Sequence, residues 1–308
     1  MDSTIPWEWY RSLLAVLDEG SLSGAARALG LTQPTLGRHV AALEAALGQV
    51  LFTRSPGGLR PTEAALALRP DAQAMRNTAA ALERTARSQG LTSAGGVRGV
   101  VRVTASEVIG VEVLPPLLAQ LRQAHPGLVI ELVLSNQLQD LLNREADIAV
   151  RMTPPQQEAL VARQVGVVEL GLHAHECYLA HRAEPQSLQD LAGHSLIGFD
   201  RPTAWLRELS RRHPDLRRER FALRSDSDLA LLALLRAGAG IGVCQVPLAQ
   251  RDPALRRLLA AEFSLPLPTW VTMHEDLRAS PACRAVFDAL VEGLLRHVGA
   301  AEPQRFAE

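Results

Sequence analysis

Four stretches of this 308-residue chain hold side chains whose types and spacing could do chemistry. His173, His175, Glu176 and Cys177 stand together in LHAHEC. On a strand, His173 and His175 would share a face, so ligation of a metal is geometrically open. No Cys-x-x-Cys or His-Glu-x-x-His accompanies them, and only His181 and His194 lie nearby, so structural or surface histidines are the expectation. Gly238, Gly240 and Gly242 echo a nucleotide loop in the wrong order. They close a helix and lead into a strand, whereas a dinucleotide loop leaves a strand and opens a helix. A helix C-terminus presents carbonyls, which repel phosphate. Arg207 to Arg224 holds seven arginines against Glu208, Asp215 and Glu219. A second nucleic-acid contact is conceivable there, but a solvated helix and turn is the simpler expectation. With no Gly-x-Ser-x-Gly elbow, paired-carboxylate motif or phosphate loop, the sequence points to no catalytic residue, no metal and no cofactor.

The fourth stretch is residues 21 to 48, SLSGAARALGLTQPTLGRHVAALEAALG. A short helix from about Ser23, as N-cap, to Leu29 ends at Gly30, where a left-handed residue is wanted. Thr32 then caps a longer helix with Pro34 in its first turn, where the missing N–H does no harm. Leu36, Val40, Leu43 and Leu47 make one apolar face. Arg38 lies away from that face, and Gln33, Pro34 and Thr35 are exposed at the tip. A helix that buries one side and offers Gln, Thr and Arg at its N-terminus fits the major groove of DNA; an ordinary helical hairpin is the plainer alternative.

The elements around that helix decide between the two. Trp9, Leu13, Val16 and Leu17 form a helical stripe between Pro6 and Gly20, which makes a first helix to pack beneath the pair. After Gly48, a short apolar run, a Ser-Pro-Gly-Gly turn and Leu59-Arg60-Pro61 read as a two-stranded wing with Arg54 and Arg60 beside its turn. Three helices and a wing make an α+β winged helix–turn–helix over residues 1–62.

Composition sets the outer bounds. The length allows two or three domains, and the apolar content describes a globular chain. No apolar run approaches the roughly 18 residues of a membrane span, and the acidic N-terminus resembles no secretory signal. Three widely spaced cysteines fit a reducing cytoplasm, and no membrane partner is expected. There is no lysine; with abundant Ala and Leu this reads as the codon bias of a GC-rich bacterial genome. Residues 1–62 are electrically balanced, so phosphate contact would rest on local arginines, hydroxyls and helix N-termini instead of a broad positive field.

The first 62 residues resemble the N-terminal domain of the LysR-type transcriptional regulators. The likeness is carried by Leu14-Ala15-Val16, Gly20-Ser21, Ala25-Ala26, Leu29, Gln33-Pro34, Arg38, Leu43-Glu44, Leu47-Gly48, Leu51-Phe52-Thr53-Arg54 and Leu59-Arg60-Pro61-Thr62. Two departures stand out. Gly37 occupies the place where the family usually has Ser, and glycine weakens the helix by about 1 kcal/mol relative to alanine. Ala65 stands where Gly commonly follows. The resemblance implies a bacterial sequence-specific regulator in which Gln33, Pro34, Thr35 and Arg38, assisted by His39, meet base edges or adjacent phosphates. Arg54, Arg60 and Thr62 would meet the DNA backbone or minor groove.

Residues 63–90 read as a long helix. Ala65, Leu68, Ala72, Met75, Ala79, Leu82 and Ala86 alternate at spacings of three and four, a heptad seam suited to pairing with a second copy. Pro70 should loosen the helix locally. A Gly- and Ser-rich hinge, residues 91–99, follows. Beyond it strands and helices alternate in parallel α/β order: Val100–Ala105, Val111–Ala124, Leu128–Leu134, Leu138–Glu145 and Asp147–Arg151. A second set comprises strands at Val167–His173, Tyr178–Ala180, Ser195–Phe199, Arg220–Arg224 and Gly240–Cys244, with helices from about Thr203 and over Asp226–Ala237. Strand Pro268–Glu275 and helix Ala279–His297 return to the first lobe.

Scattered matches (Leu114-Pro115-Pro116, Pro126, Asp147-Ile148-Ala149, Leu191-Ala192-Gly193-His194 and Ala237 to Gly242) resemble the family's two-lobed effector domain, built like a periplasmic binding protein. Its expected extent is residues 100–300, with lobe 1 at about 100–165 and 266–300 and lobe 2 at about 166–265. Ligands collect at the carboxyl ends of strands in open α/β sheets. That places Ser106, Ser135, Asn136 and Arg151 on one lobe, and Pro202, Thr203, Ser225 and Asp226 on the other, as effector candidates. Ser106, Thr203 and the helix N-termini suit a carboxylate, and Asp226 opposes one. The partners so implied are double-stranded promoter or operator DNA, a small-molecule effector, a second chain to form a homodimer and then a homotetramer, and RNA polymerase if the protein activates. The reading from another class is a cytoplasmic small-molecule-binding or enzymatic α/β protein with an incidental helical N-terminus.

Overall fold

Helix α1 (Trp7–Glu19) starts directly after Pro6 and stops at Gly20, whose φ of +68° turns its N–H back onto the Val16 carbonyl. The computed structural model describes residues 5–55, 58–88, 92–93, 96–136, 146–155, 160–202 and 204–299. These fall into two compact units divided between residues 83 and 84.

In the first unit, α2 (Leu22–Leu29) is capped by Ser21 and not by Ser23. The Ser21 hydroxyl accepts the Gly24 N–H at 3.1 Å. A Cβ at Gly24 would come within 2.9 Å of that hydroxyl, so the cap folds over a residue that must lack a side chain. Helix α3 (Gln33–Leu47) begins at the Thr32 cap with Pro34 in its first turn and ends at left-handed Gly48. Strands β1 (Phe52–Ser55) and β2 (Gly58–Pro61) pair antiparallel, Thr53 opposite Arg60, to form the wing.

Leu36, Val40 and Leu43 of α3 are buried against Leu13, Val16, Ala25, Ala26 and Leu51. Each such leucine contributes about 1.5–3 kcal/mol by burial. The Glu44 carboxylate accepts the N–H groups of Leu51 and Phe52 at 2.7 and 3.2 Å, which ties the base of the wing to α3.

Helix α4 (Glu63–Ser88) runs through Pro70. Its first half belongs to the core: Ala65 packs with Leu13, Leu43 and Leu51, and Ala72 is also buried. Arg69 and Arg76 both reach the Asp18 carboxylate of α1, at 2.7 and 3.1 Å. Further along the helix, Met75 and Leu82 stay 43% and 65% exposed. Two of the seven expected seam residues, Ala65 and Ala72, are therefore already covered within the chain. The side chain of Ala86 lies outside the described residues.

The second unit opens with two short strands, β3 (Thr92–Ser93) and β4 (Gly96–Val97). Lobe 1 follows with β5 (Gly99–Ala105), α5 (Leu114–Ala124), β6 (Leu128–Leu134) and β7 (Ile148–Arg151). A π-helical turn, Ile109–Val113, leads into α5. Pro115 and Pro116 explain it: lacking N–H groups, they cannot bond the carbonyls four residues back, and the ladder shifts to a wider turn. Arg251 donates to the Glu112 carbonyl so orphaned, at 3.0 Å. The expected helix Leu138–Glu145 lies outside the described residues.

Strand β8 (Leu160–His175) passes from lobe 1 into lobe 2, which contains α6 (Glu176–Leu179), β9 (Leu196–Gly198), α7 (Ala204–Arg212), β10 (Phe221–Arg224), α8 (Asp228–Arg236), β11 (Ile241–Gln245), α9 (Val246–Ala249) and β12 (Leu255–Leu258). Strand β13 (Leu265–His274) returns to lobe 1, where α10 (Pro281–Gly299) packs on the sheet. The strand order β10-β9-β11-β8-β13-β7-β5-β6, with β12 on β8, makes one sheet through both lobes. Its register slips between Thr269 and Trp270, beside Gly166 at φ +127°, where a Cβ would sit 2.6 Å from Val298. Lobe 1 is built around Val103, Ile148, Val271 and Leu290, and lobe 2 around Leu172, Leu196, Ile241 and Phe263.

Two local expectations fail. Tyr178–Ala180 is not a strand: the Glu176 N–H is held by the Ala254 carbonyl at 2.8 Å, and His175 Nδ1 accepts the Cys177 N–H at 3.2 Å, which starts α6. Strand β12 was not anticipated, because the charged pair Arg256-Arg257 hides its alternation.

Candidate nucleic-acid interface and interlobe cleft

The exposed tip of α3 is organised by hydroxyls. Thr32 Oγ1 lies 2.9 Å from Thr35 Oγ1 and accepts the Thr35 N–H at 3.4 Å; Arg38 Nη2 donates to Thr35 Oγ1 at 3.4 Å. Gln33, Pro34 and Arg38 are exposed beside this chain, opposite buried Leu36, Val40 and Leu43. Nothing lies within 4 Å of where a Cβ at Gly37 would be, so the face is open there. His39 belongs to the other side. The Ser12 hydroxyl gives its hydrogen to the Glu8 carbonyl at 2.9 Å and meets His39 Nδ1 at 2.9 Å, so it accepts from the ring and holds it against α1. Thr62 is likewise committed: its hydroxyl donates to Val50 O at 2.9 Å and accepts the Ala65 N–H at 3.3 Å, capping α4. Both residues were expected at the DNA contact, and both are occupied in holding elements together. Arg60 is exposed on the wing, and the side chain of Arg54 lies outside the described residues.

In the second unit the strand ends do meet across the lobes, though through partly different residues. Asn136 Oδ1 accepts the Glu107 N–H at 3.1 Å, and its Nδ2 donates to Asp228 Oδ2 at 2.7 Å. Ser227 donates to the Glu107 carboxylate at 3.1 Å and caps α8 through the Ala230 N–H. A second tie, bidentate, joins Arg236 to Glu112 at 2.7 and 2.8 Å. Ser106 carries a buried hydroxyl with no hydrogen-bond partner among the described residues, and the Ser135 N–H is held by Ala105 O at 2.9 Å. Arg151 is buried in the sheet, with Nη2 on Thr104 Oγ1 at 2.9 Å.

Ser225 and Asp226 do not cap α8. Ser225 accepts the Ser227 N–H at 3.2 Å, while Asp226 accepts the Arg201 N–H at 2.8 Å and pairs with its Nε at 3.0 Å. The repeat Ser-Asp-Ser-Asp offered two capping registers, and the helix takes the second. Pro202 is exposed, its carbonyl accepting from Arg207 at 2.7 Å, and Thr203 lies outside the described residues. Burial, then the Glu107 charge, raises the Asp228 pKa, with the Asn136 hydrogen bond opposing.

Comparison with known proteins decides what these two sites belong to. The sequence model of the LysR substrate binding domain matches residues 94–295, and that of the bacterial regulatory helix-turn-helix protein, lysR family, matches residues 7–66. The chain belongs to the LysR-type transcriptional regulators. It is 29% identical over 286 residues to the HTH-type transcriptional regulator CrgA of Neisseria meningitidis serogroup C, covering 91% of this chain and 94% of CrgA. An HTH-type transcriptional regulator of Xanthomonas campestris pv. campestris is 31% identical over 184 residues, spanning 60% of this chain and 52% of that protein. The solved structure of CrgA matches with a TM-score of 0.57 at 26% identity, over 93% of this chain and 98% of that one. Full-length CbnR in complex with its target DNA shares the fold at a TM-score of 0.64 and 22% identity, over 95% of this chain and 99% of that one.

As a LysR-type regulator the chain is a DNA-binding transcriptional regulator with a substrate-binding effector domain. The match over residues 7–66 sets aside the reading of an incidental helical N-terminus. The remaining chemical candidates have structural uses. His173 is buried with Nδ1 at 2.9 Å from Gly171 O, and burial lowers its pKa to about 4. Among the described residues no three His, Cys, Asp or Glu side chains gather to hold a metal. Gly238 ends α8 at φ +70°, and Gly240 lets the Ser195 backbone approach. In the arginine-rich run, Arg211 and Arg212 pair with Glu208, Arg218 with Asp200, and Arg220 donates to Leu191 O. No helix of the described residues is long and apolar enough to cross a membrane.

Proposed function

We propose that this regulator reads its operator with the N-terminal turns of α3 and is controlled by a small molecule held between the lobes of its second unit. The observation that carries the DNA reading is the Thr32–Thr35–Arg38 chain on the exposed face of a helix whose other face is core. Gln33, Thr35 and Arg38 present an amide, a hydroxyl and a guanidinium, the groups that pair with base edges in the major groove, and Pro34 adds an apolar contact. Arg60, with Arg54 from the neighbouring strand, meets the phosphate backbone or minor groove. The protein acts in the cytoplasm, by binding and not by catalysis, and needs no cofactor.

Met75, Ala79 and Leu82 form the part of the α4 seam left for a second copy, and pairing there gives the dimer whose further association makes a tetramer. A two-fold assembly matches the symmetry of a palindromic operator. If the protein activates, RNA polymerase is the further partner.

The effector site lies where Ser106, Glu107, Asn136, Ser227 and Asp228 converge. Two carboxylates at this lip steer a ligand's carboxylate, if it has one, away from them and toward Ser106. Control follows from affinity that differs between lobe arrangements, since a ligand indifferent to them shifts nothing.

Arg38→Ala tests the reading face. Specific operator affinity should fall about 10- to 100-fold, the worth of one good bidentate base contact, with the oligomeric state unchanged in sedimentation. Undiminished affinity would remove α3 from its assigned role.

A further inference from the structure

Helix α8 of lobe 2 is strapped to lobe 1 at both ends. At its start, Ser227 donates to the Glu107 carboxylate at 3.1 Å and Asp228 accepts from Asn136 at 2.7 Å. At its end, Arg236 forms the bidentate pair with Glu112 at 2.7 and 2.8 Å. Between the two ends, Val108 of lobe 1 packs against the lobe 2 cluster of Ile197, Leu232, Leu235 and Cys244. The π-helical turn and the residues just before it thus supply Glu107, Val108 and Glu112, most of what lobe 1 offers to α8.

The two ends are not equivalent. The first brings together two carboxylates, Glu107 and Asp228, which repel. The second joins opposite charges in a fork, the stronger kind of hydrogen-bonded pair. The Arg236 hydrogen bond is the foremost cause that lowers the Glu112 pKa. The Glu112 side chain is 21% exposed, so water screens this pair less than one on the open surface. Arg251 of lobe 2 adds a bond to the Glu112 carbonyl at 3.0 Å and reaches on to His297 Nδ1 of α10 at 2.8 Å. The crossing strands have a place to bend. Thr269 pairs with Gly166 and Trp270 with Gln164, which leaves Val165 as the extra residue of a bulge. A bulge bends its strand, and Gly166, at φ +127°, absorbs changes that other residues resist.

We propose that Glu112 and Arg236 form a latch that holds the lobes together before any effector arrives, closing them about the bulge at Val165 and Gly166. Both are positioning residues and act by setting how often the lobes are shut. The consequence rests on the reading of a small molecule gripped between the lobes: its apparent affinity is the intrinsic affinity scaled by the fraction of chains that are closed. Cutting the latch lowers that fraction and weakens the effector by the same factor. Closure itself is measured with neither effector nor DNA, so the latch and that reading can fail separately.

Alkylation of the native full-length chain by iodoacetamide, followed at each cysteine by mass spectrometry, tests the latch. Cys244 on β11 is 6% exposed, sits in the cluster that Val108 covers, and lies close enough to Glu112 and Arg236 to feel both charges. Burial pushes its thiol up to about 12, so it reacts slowly while the seam is shut. Cys283, buried in the core of lobe 1, reports the integrity of the fold. Arg236→Gln and Glu112→Gln should each speed Cys244 about tenfold or more, the worth of one charge-assisted tie, and leave Cys283 unchanged. Loss of the Arg236 charge from a seam that stayed shut would slow the thiol, so a faster rate reads opening. The double variant should be no faster than the faster single, because both changes remove one interaction. An unchanged Cys244 rate in either single variant, or a double variant in which the two increases multiply, would overturn the latch. So would an equal rise at Cys283, which would make the pair a support of the whole fold.

Discussion

The tip of α3 and the seam between the lobes use the same side-chain chemistry, hydroxyls, amides, arginine and carboxylates, but they are addressed differently in the chain. At α3 the residues that act together lie within seven positions, Thr32 to Arg38, and a single helix sets their geometry. At the lobe seam Glu107 meets Ser227, 120 positions away, and Asn136 meets Asp228, 92 away. Helical period links neighbours in sequence to neighbours in space, whereas crossing strands do not. The first site is therefore addressed by local pattern and the second by register.

The largest effect that sharpens this contrast comes from the core of the reading unit. Leu36 is fully buried, and Leu36→Ala should destabilise that unit by about 2–5 kcal/mol. Calorimetry should then show an early transition for the N-terminal unit and an unshifted one for the α/β unit, together with lost DNA binding. A single transition moving as a whole would show that the two units do not unfold separately. Next comes Arg60→Ala on the wing. Binding should weaken alike for all sequences, and the slope of log affinity against log salt should become shallower by about 0.9. A changed sequence preference would move part of the reading from α3 to the wing.

A smaller effect probes the lobe seam. Asp228 has its pKa raised by burial and by Glu107. An acid raised in this way holds its proton more firmly folded than unfolded, so stability falls as pH rises through the window above the usual carboxylate value. The cost is fully present at neutral pH. Asp228→Asn removes the ionisation and keeps an oxygen for Asn136. The variant should melt higher than the parent chain at about pH 7, with the gain shrinking as pH falls toward about 4. Equal melting temperatures at both values would mean that the two carboxylates do not repel across the seam.

The smallest effect is at Gly37. The open space there admits a side chain, and Gly37→Ser should stabilise α3 by about 0.5 kcal/mol through helix propensity. The added hydroxyl lies on the reading face, so operator preference should change more than stability. Identical preference across a randomised operator library would place position 37 outside the contact.

How much was legible follows the same division. The caps at Thr32 and Gly30, the apolar face of α3, the wing and the strands of lobe 1 follow from local signals in the sequence. His39 and Thr62 sit beside the expected contact residues in sequence, but each side chain turns inward, to Ser12 and to Val50, a direction that neighbouring residue types do not encode. Glu44, which fastens the wing, gave no sign of its partners, since backbone N–H groups of Leu51 and Phe52 carry no residue signature. In the cleft, Ser227 and Asp228 took the places expected of Ser225 and Asp226, a two-residue shift between equally good caps. Glu107 could not be found at all without the register that brings α8 to it. The buried start of the α4 seam was hidden for a related reason: a heptad pattern shows which face is apolar and not whether its own domain covers it.

The role of α3 is tested most directly by selective binding of genomic DNA fragments at moderate salt, measured for the full chain and for the chain lacking residues 1–90. The full chain should retain a small set of fragments over competitor DNA, and the shortened chain none. Failure of the full chain to select any fragment would contradict the assignment of α3 as the reading helix.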